Sequence, residues 1–198
     1  MKVLVFGGTG RTGRLIAQWL VKNGHTVIAA GRRDPQIEGV AYRAVNLSDA
    51  SAVRTAAEGM DAAISALASG KDNPVCSEVA QALSEMEGLR FITIAGSGLD
   101  APGDAKGALD RFIGWLLRRL MPHMIADRER ELGILQASRL RWTMLRPPLL
   151  NNKPSTGRYQ TTFDRPASRG ISRADLARAV VDALEDGALI GRAPFVAG

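Results

Sequence analysis

Residues 7–13 read Gly7-Gly8-Thr9-Gly10-Arg11-Thr12-Gly13, and this stretch decides the fold of the 198-residue chain. The apolar run at 3–6 before it resembles a buried strand, and the apolar residues after it recur at helical spacing. Its glycines match the dinucleotide fingerprint, in which they permit a tight turn and a close approach of the backbone to pyrophosphate. The N–H groups of the following helix then point at the phosphates. Together with a second apolar strand at 26–30, the pattern predicts a βαβ nucleotide-binding unit.

Two arginines follow this second strand. An NAD-selective site usually places a carboxylate here, where it binds the ribose 2′-hydroxyl. This chain has Arg32 and Arg33 instead, and Asp34 comes only after both. A guanidinium can bind a 2′-phosphate with charge-assisted hydrogen bonds, and Arg11 could add a third cation. The sequence therefore predicts NADP(H) rather than NAD(H) as the cofactor; the alternative is a solvated turn that binds nothing.

Short apolar runs alternate with helical patterns along the whole chain. This alternation predicts a single Rossmann-like domain over residues 1–198, with a doubly wound, mostly parallel α/β sheet and helices on both faces. We expect strands at 2–6, 26–30, 41–45, 62–66, 90–94, 142–146 and 194–197. We expect helices to begin near Arg11, Asp49, Pro74, Ala105, Ala126 and Arg173, with Ser48 capping the second and a capping box at 172–175 starting the last. The irregular stretch 147–170 is a candidate substrate loop.

Composition excludes several classes of protein. Cys76 is the single cysteine, which rules out an internal disulfide framework and suits a reducing cytoplasm; with only two histidines, we expect no metal site. No apolar run is long enough to span a membrane, and we expect no membrane partner. The net charge of +6 comes from dispersed arginines with few aromatic residues between them, so we expect no nucleic-acid partner. The sequence leaves monomer and dimer open.

Several motifs together resemble those of a known family. Besides the glycine stretch, they are Asn46-Leu47 and the segment 140–147, which reads Leu-Arg-Trp-Thr-Met-Leu-Arg-Pro. The chain resembles the atypical short-chain dehydrogenase/reductases, and most of all the NADPH-dependent flavin reductase/biliverdin reductase B family. The most specific likeness lies in Thr-Gly-Arg-Tyr at 156–159 and Ser-Arg-Gly-Ile-Ser-Arg-Ala-Asp-Leu at 168–176.

The resemblance implies a role for each matching position. It puts the glycine stretch at the pyrophosphate, Arg32 and Arg33 at the 2′-phosphate, and Asn46 and Leu47 at the adenine. Near the cofactor's ribose and nicotinamide it puts the residues after the fourth strand, which are Ala66, Leu67 and Ala68. The family commonly has a serine near the nicotinamide at the end of strand five, where this chain has Gly96, followed by Ser97. A histidine of the flavin reductases falls on Arg128.

The candidate catalytic residues are Ser97 and His123. The wider superfamily uses a Tyr-x-x-x-Lys pair as proton donor, and neither Tyr42 nor Tyr159 has a lysine four residues on. His123 stands near the corresponding position and could act as an acid; the favoured alternative is a loop residue after Pro122.

At the end of the sixth strand, we include Arg146 and Pro147 among the cofactor-binding residues. The Arg146 guanidinium could hold a phosphate or a carboxylate; an ion pair is the alternative.

The absence of a Tyr-x-x-x-Lys pair favours one kind of chemistry. Hydride transfer to a small-molecule acceptor such as a flavin, a quinone or a tetrapyrrole needs no dedicated acid, because solvent can deliver the proton. We therefore expect an NADPH-dependent reductase. The main alternative is a non-catalytic NADP(H) sensor that resembles the nitrogen-metabolite repressor proteins. An epimerase of nucleotide-linked sugars ranks last, because it usually needs the Tyr/Lys pair.

Overall fold

Six parallel strands form the main sheet, in the order β3-β2-β1-β4-β5-β6. The structure, a computed structural model, describes residues 1–71 and 73–198. The strand order reverses between β1 and β4, and in such sheets ligands bind outside the carboxyl ends of the strands at that point. This is the doubly wound Rossmann-like sheet that the sequence predicts. The strands are β1 Lys2–Phe6, β2 Thr26–Gly31, β3 Val40–Ala44, β4 Ala62–Ser65, β5 Arg90–Ile94 and β6 Arg141–Leu145.

Helices cover both faces of this sheet, so alternate strand residues enter two separate cores. Val3 and Val5 pack with helices α1 and α6, whereas Leu4 and Phe6 pack with α2, α3 and α5. Burial on both faces explains why the strands read as continuous apolar runs. The helices are α1 Arg11–Lys22, α2 Ala50–Ala57, α3 Val75–Leu83, α4 Ala108–Leu120, α5 Pro122–Ala137 and α6 Arg173–Glu185.

The chain after β6 adds two small sheets. The stretch predicted as irregular contains β7 Leu149–Asn151, which pairs in parallel with β9 Gly170–Ser172, and β8 Gln160–Thr162. The seventh predicted strand forms as β10 Phe195–Ala197, after a short 3-10 helix at Gly187–Leu189. It pairs antiparallel with β8 rather than extending the main sheet, which it meets through a single bridge to Arg146.

The starts of α2, α4 and α5 differ from the predictions, and α4 begins at Ala108 rather than near Ala105. The α2 helix is capped by Asp49, whose carboxylate accepts hydrogen bonds from the N–H groups of Ser51 and Ala52, and not by Ser48. The α5 helix begins at Pro122 rather than near Ala126, because proline fits the first helical position, where no backbone N–H is needed. The predicted N-cap of α6 is confirmed, with the hydroxyl of Ser172 accepting from the N–H of Asp175 at 2.9 Å. The Asp175 carboxylate accepts from the Ser172 hydroxyl at 2.8 Å, rather than from the Ser172 N–H as in a full capping box.

Candidate functional site

The glycine turn between β1 and α1 is too tight for side chains at two positions. Gly7 has φ +82°, and a Cβ there would stand 2.7 Å from the carbonyl oxygen of Ala66. At Gly13, a Cβ would stand only 2.2 Å from the carbonyl oxygen of Gly7. The N-cap residue of helix α1 is Gly10, which has no side chain to cap the helix, and the first turn contains no acidic residue. Its first N–H groups and its positive dipole end are thus available to an anion.

The predicted 2′-phosphate residues lie at the surface beside this turn. Arg32 and Arg33 follow β2 directly and are exposed, as is Arg11 at the start of α1. Neither Arg32 nor Arg33 forms an ion pair with another residue of the described ranges 1–71 and 73–198. A guanidinium of Arg14 donates to the carbonyl of Pro35, which ties the turn after β2 to the start of α1. Three cations are therefore held near one corner of the sheet with their donors in solvent.

The turn after β3 holds the predicted adenine residues. Asn46 is exposed, and its side-chain oxygen accepts a hydrogen bond from the N–H of Ser48 at 3.3 Å. Leu47 is half-buried and packs against the core that contains α2 and α3. The structure places both residues at the carboxyl edge of the sheet, on the same side of β1 as Arg32 and Arg33.

A cavity of about 260 Å³ lies on the other side of β1, at the ends of β4 and β5. Thr12 joins it to the glycine turn, and the predicted residues Ala66, Leu67 and Ala68 form part of its wall. The remaining lining comes from the chain after β5, from α4 and α5, and from β7: Ile94, Ala95, Gly96, Gly98, Leu99, Leu117, Met124, Ile125, Arg128 and Leu150. Among these described residues, Thr12 and Arg128 alone carry polar side chains, so the walls are largely apolar.

Arg128 is buried behind this cavity and held by three groups. One terminal nitrogen donates to the carbonyl of Leu67 at 2.7 Å, and the other donates to Glu131 at 2.5 Å and to Thr93 at 3.3 Å. Although burial alone would lower the pKa of Arg128, the neighbouring Glu131 carboxylate raises it, so the guanidinium stays charged. Glu131 is itself fixed by the Thr93 hydroxyl at 2.8 Å. The cavity therefore has one permanent positive charge in its wall.

The structure brings neither predicted catalytic residue to the cavity. Ser97 lies between two lining residues, and its N–H bonds to the carbonyl of Pro147 at 2.9 Å. His123 is exposed in the first turn of α5. The catalytic roles of Ser97 and His123 stay predictions, and neither side chain belongs to the described lining of this cavity.

Arg146 requires a correction, because its guanidinium is not available to a cofactor. The side chain is 1% exposed and forms a two-point ion pair with Asp104, at 2.7 and 2.6 Å. Further bonds go to the carbonyls of Leu99 and Ala193, and the group lies 3.9 Å from the ring centre of Phe195. Of the two alternatives left open by the sequence, the ion pair is the one observed. Pro147 contributes through its carbonyl, which positions the loop at 96–98.

Asp175 explains why the family-like segments at 156–159 and 168–176 occur together. Its buried carboxylate accepts hydrogen bonds from Ser155, from the N–H groups of Thr156 and Gly157, and from Ser172. Although burial would raise the pKa of Asp175, these hydrogen bonds lower it to about 2. One carboxylate thus anchors the loop after β7 to the start of α6.

Sequence reasoning missed the part of the cavity that α4 and α5 supply through Leu117, Met124 and Ile125. Leu150 of β7 lies within the stretch 147–170, the candidate substrate loop predicted from the sequence. Arg128 had two available signals. A histidine of the resembling flavin reductases falls on it, and a glutamate three residues later has the spacing of an ion pair along a helix.

The chain was compared with known proteins. A family model described as NAD(P)H-binding matches residues 7–187. The chain belongs to this NAD(P)H-binding family. The NAD(P)H class of cofactor predicted from the glycine stretch is confirmed, and solved short-chain dehydrogenase/reductase structures share the fold of this chain.

Proteins similar to this chain carry different names. A Bacillus subtilis protein named uncharacterized sugar epimerase YhfK is 27% identical over 94% of this chain and 89% of its own length. ChuY, an anaerobilin reductase from Escherichia coli O157:H7, has a TM-score of 0.82 and 20% identity over 100% of this chain and 97% of its own. A short-chain dehydrogenase/reductase from Veillonella parvula, solved in complex with NADP, has a TM-score of 0.80 and 19% identity over 100% of this chain and 94% of its own. At these identities the two structures show the shared fold.

Proposed function

We propose that this NAD(P)H-binding protein is an NADPH-dependent reductase that transfers a hydride to a flavin, a quinone or a similar conjugated acceptor. The observation that carries the proposal is the cavity at the ends of β4 and β5, which is largely apolar and has the buried cation Arg128 in its wall. It lies next to the glycine turn, on the opposite side of β1 from the exposed arginines.

The position of the cavity matches the way an extended dinucleotide crosses such a sheet. With the pyrophosphate at the start of α1, one half of the cofactor extends over β2 toward Arg32 and Arg33, and the other half extends over β4. When bound, NADPH supplies the hydride. The apolar wall residues Leu67, Ile94 and Leu99 exclude water around the reacting rings.

Arg128 supplies the electrostatic part of the mechanism. An acceptor that takes a hydride gains one negative charge before it is protonated, and a fixed guanidinium beside the ring stabilises that charge. The salt bridge to Glu131 and the bond to Leu67 hold the guanidinium in place, so no reorganisation is needed during the reaction. Because its pKa is raised, Arg128 does not donate the proton, which comes from water.

An epimerase of the Tyr/Lys type is disfavoured by the positions of both tyrosines. The Tyr42 hydroxyl donates to the carbonyl of Gly31 at 3.0 Å, and the Tyr159 hydroxyl donates to Asp182 at 2.6 Å. Neither tyrosine belongs to the described cavity lining. The name of the Bacillus subtilis relative therefore does not define the chemistry that we propose for this chain.

A sensor that binds NADP(H) without turnover is the second candidate. It is favoured by one observation: within the described lining, no side chain has a pKa suited to donating a proton near neutral pH.

The test is NADPH oxidation with a panel of riboflavin, FMN, a quinone and a biliverdin isomer, with NADH in parallel. We expect turnover with at least one acceptor and a preference for NADPH. Tight binding of NADP(H), measured by calorimetry, without turnover of any acceptor would reject the reductase and support the sensor. If neither nucleotide bound, both proposals would fail.

A further inference from the structure

Helix α4 presents its apolar side to solvent. In this helix, all of which is described, only Gly114 is buried. The exposed apolar residues follow helical spacing and share one side of the helix. Phe112 and Trp115 are each 56% exposed and their rings stack, with centroids 5.9 Å apart. The other members of this surface, which we call the α4 face, are Leu109, Ile113, Leu116 and Leu120.

Polar contacts hold the opposite side of α4 against the protein. Arg118 forms a salt bridge with Asp100 at 2.8 Å and a second one with Glu129 on α5. Gly114 lies against the chain at Gly98, where a Cβ on Gly114 would stand 3.4 Å from the carbonyl oxygen. The helix is thus fixed with its apolar side outward, which reverses the usual arrangement of a surface helix. An apolar surface of this kind marks an interaction site.

The charges on α4 indicate what covers this face. Arg119 is exposed among the apolar residues, because helical spacing places it between Trp115 and Phe112 around the helix axis. Arg111 lies at the edge of the α4 face. The acidic residue of the helix, Asp110, points to the opposite side by helical spacing. A two-fold dimer through the α4 face would bury Arg119 of both copies without a carboxylate from the helix, which is costly.

A membrane with anionic lipids can bind both the apolar side chains and the arginines of α4. A helix with arginines and an apolar side that contains Trp, Phe and Leu lies in the plane of the interface, with its apolar side at the boundary of headgroups and acyl chains. Arg119 can extend its alkyl stem along that boundary and place its guanidinium among the lipid phosphates. The net charge of +6 adds attraction at longer range.

We propose that the α4 face docks on the surface of a membrane that contains anionic phospholipids. The helix lies parallel to the surface, with Phe112, Trp115 and Leu116 inserted and Arg119 bound to phosphate. This is contact with one leaflet. It is compatible with the finding that none of the described helices is long and apolar enough to cross a membrane. Our expectation of no membrane partner considered only spanning segments, and the proposal departs from it for surface contact.

Vesicle binding tests the proposal with the full chain. We would measure sedimentation with vesicles of phosphatidylcholine alone and with vesicles of equal parts phosphatidylcholine and phosphatidylglycerol, and record tryptophan emission in parallel. Trp142 is buried and Trp19 is half-buried, so a blue shift upon binding reports Trp115. We expect binding to the anionic vesicles, with a blue shift, and a loss of binding as salt rises.

The variants separate this face from the rest of the surface. Combining Phe112→Ser with Trp115→Ser should weaken binding at least roughly tenfold, and Arg119→Gln should weaken it severalfold. Phe163→Ser is the matched control, because this phenylalanine is 43% exposed outside α4, and it should bind like the wild type. NADPH binding by each variant confirms that it is folded.

Two results would overturn the proposal. The first is a lack of binding to anionic vesicles by the wild-type protein. The second is a stable dimer in solution that the Phe112/Trp115 double variant converts to monomer, since the α4 face would then be an interface between two copies.

Discussion

The two sides of β1 use arginine in opposite ways. On the side of β2, Arg32 and Arg33 are exposed and have no ion-pair partner in the described chain, so their donors are open to a ligand. On the side of β5 and β6, Arg128 and Arg146 are buried, and each is paired with a carboxylate. The first pair contributes little to the fold and is available for binding. Arg128 and Arg146 are buried charges, and their carboxylate partners offset the cost of that burial. Of these two arginines, only Arg128 lines the cavity at the ends of β4 and β5.

The contrast between buried and exposed arginines is tested most sharply by breaking the ion pair between Arg146 and Asp104. Asp104→Asn leaves the guanidinium buried without its carboxylate, and we expect the free energy of unfolding to fall by about 3–5 kcal/mol. Urea denaturation measures the change. The control is Asp164→Asn, because Asp164 pairs with Arg165 at the surface and its loss should cost less than about 1 kcal/mol. Equal effects of both substitutions would show that burial does not distinguish the two ion pairs.

The second prediction concerns the one buried arginine at the cavity. Arg128→Gln should lower kcat about 10²-fold with the acceptor that the panel identifies, because the charge that develops on the acceptor is no longer stabilised. Arg128→Lys should recover part of the loss, and the Kd for NADPH should stay near the wild-type value. Arg130→Gln, on the exposed side of the same helix, is the control. An unchanged kcat in Arg128→Gln, with the protein folded, would remove Arg128 from the mechanism.

The third prediction tests the buried carboxylate that anchors the loop after β7. The pKa of Asp175 is lowered to about 2, so its ionised form stabilises the folded state, and this contribution is complete above its ordinary value near 4. Asp175→Asn should therefore reduce the free energy of unfolding by about 2 kcal/mol at neutral pH. The difference between wild type and variant should shrink as pH falls from about 4 toward 2. A difference independent of pH would contradict the assignment.

The smallest effect on binding or stability is expected from the exposed arginines after β2. Combining Arg32→Ala with Arg33→Ala should raise the Kd for NADPH about tenfold, leave the Kd for NADH nearly unchanged, and leave the free energy of unfolding within about 0.5 kcal/mol of wild type. Calorimetric titration with both nucleotides measures the preference. Equal weakening of NADPH and NADH would show that these arginines do not distinguish the 2′-phosphate.

The same contrast explains what the sequence could and could not predict. The turn at 7–13 and the arginines after β2 depend on local chain order, so the strand, the turn and the helix appear where the pattern predicts them. Arg146 was assigned to the cofactor for its place at the end of β6, with an ion pair as the alternative. The sequence could not decide between them, because the partner, Asp104, is 42 residues away.

The cavity wall was predictable only in part for a related reason. The residues after β4 follow directly from the fold, whereas Leu117 and Met124 depend on how α4 and α5 pack, and no local pattern records that packing. Asp127 of α5 accepts hydrogen bonds from the N–H groups of Cys76 and Ser77 at the start of α3, a cap supplied from 50 residues away that a local capping rule cannot find.

Gly96 has a consequence for how this site can change. It lines the cavity where the resembling family commonly has a serine, and a Cβ built on it meets no other atom within 4 Å. Its backbone does not adopt the left-handed conformation that favours glycine, so a side chain brings neither collision nor strain at this position. One substitution, Gly96→Ser, can therefore add a hydroxyl group to the wall of this cavity. In evolutionary terms, a cavity with this hydroxyl and a cavity without it differ by a single amino-acid substitution that the fold tolerates.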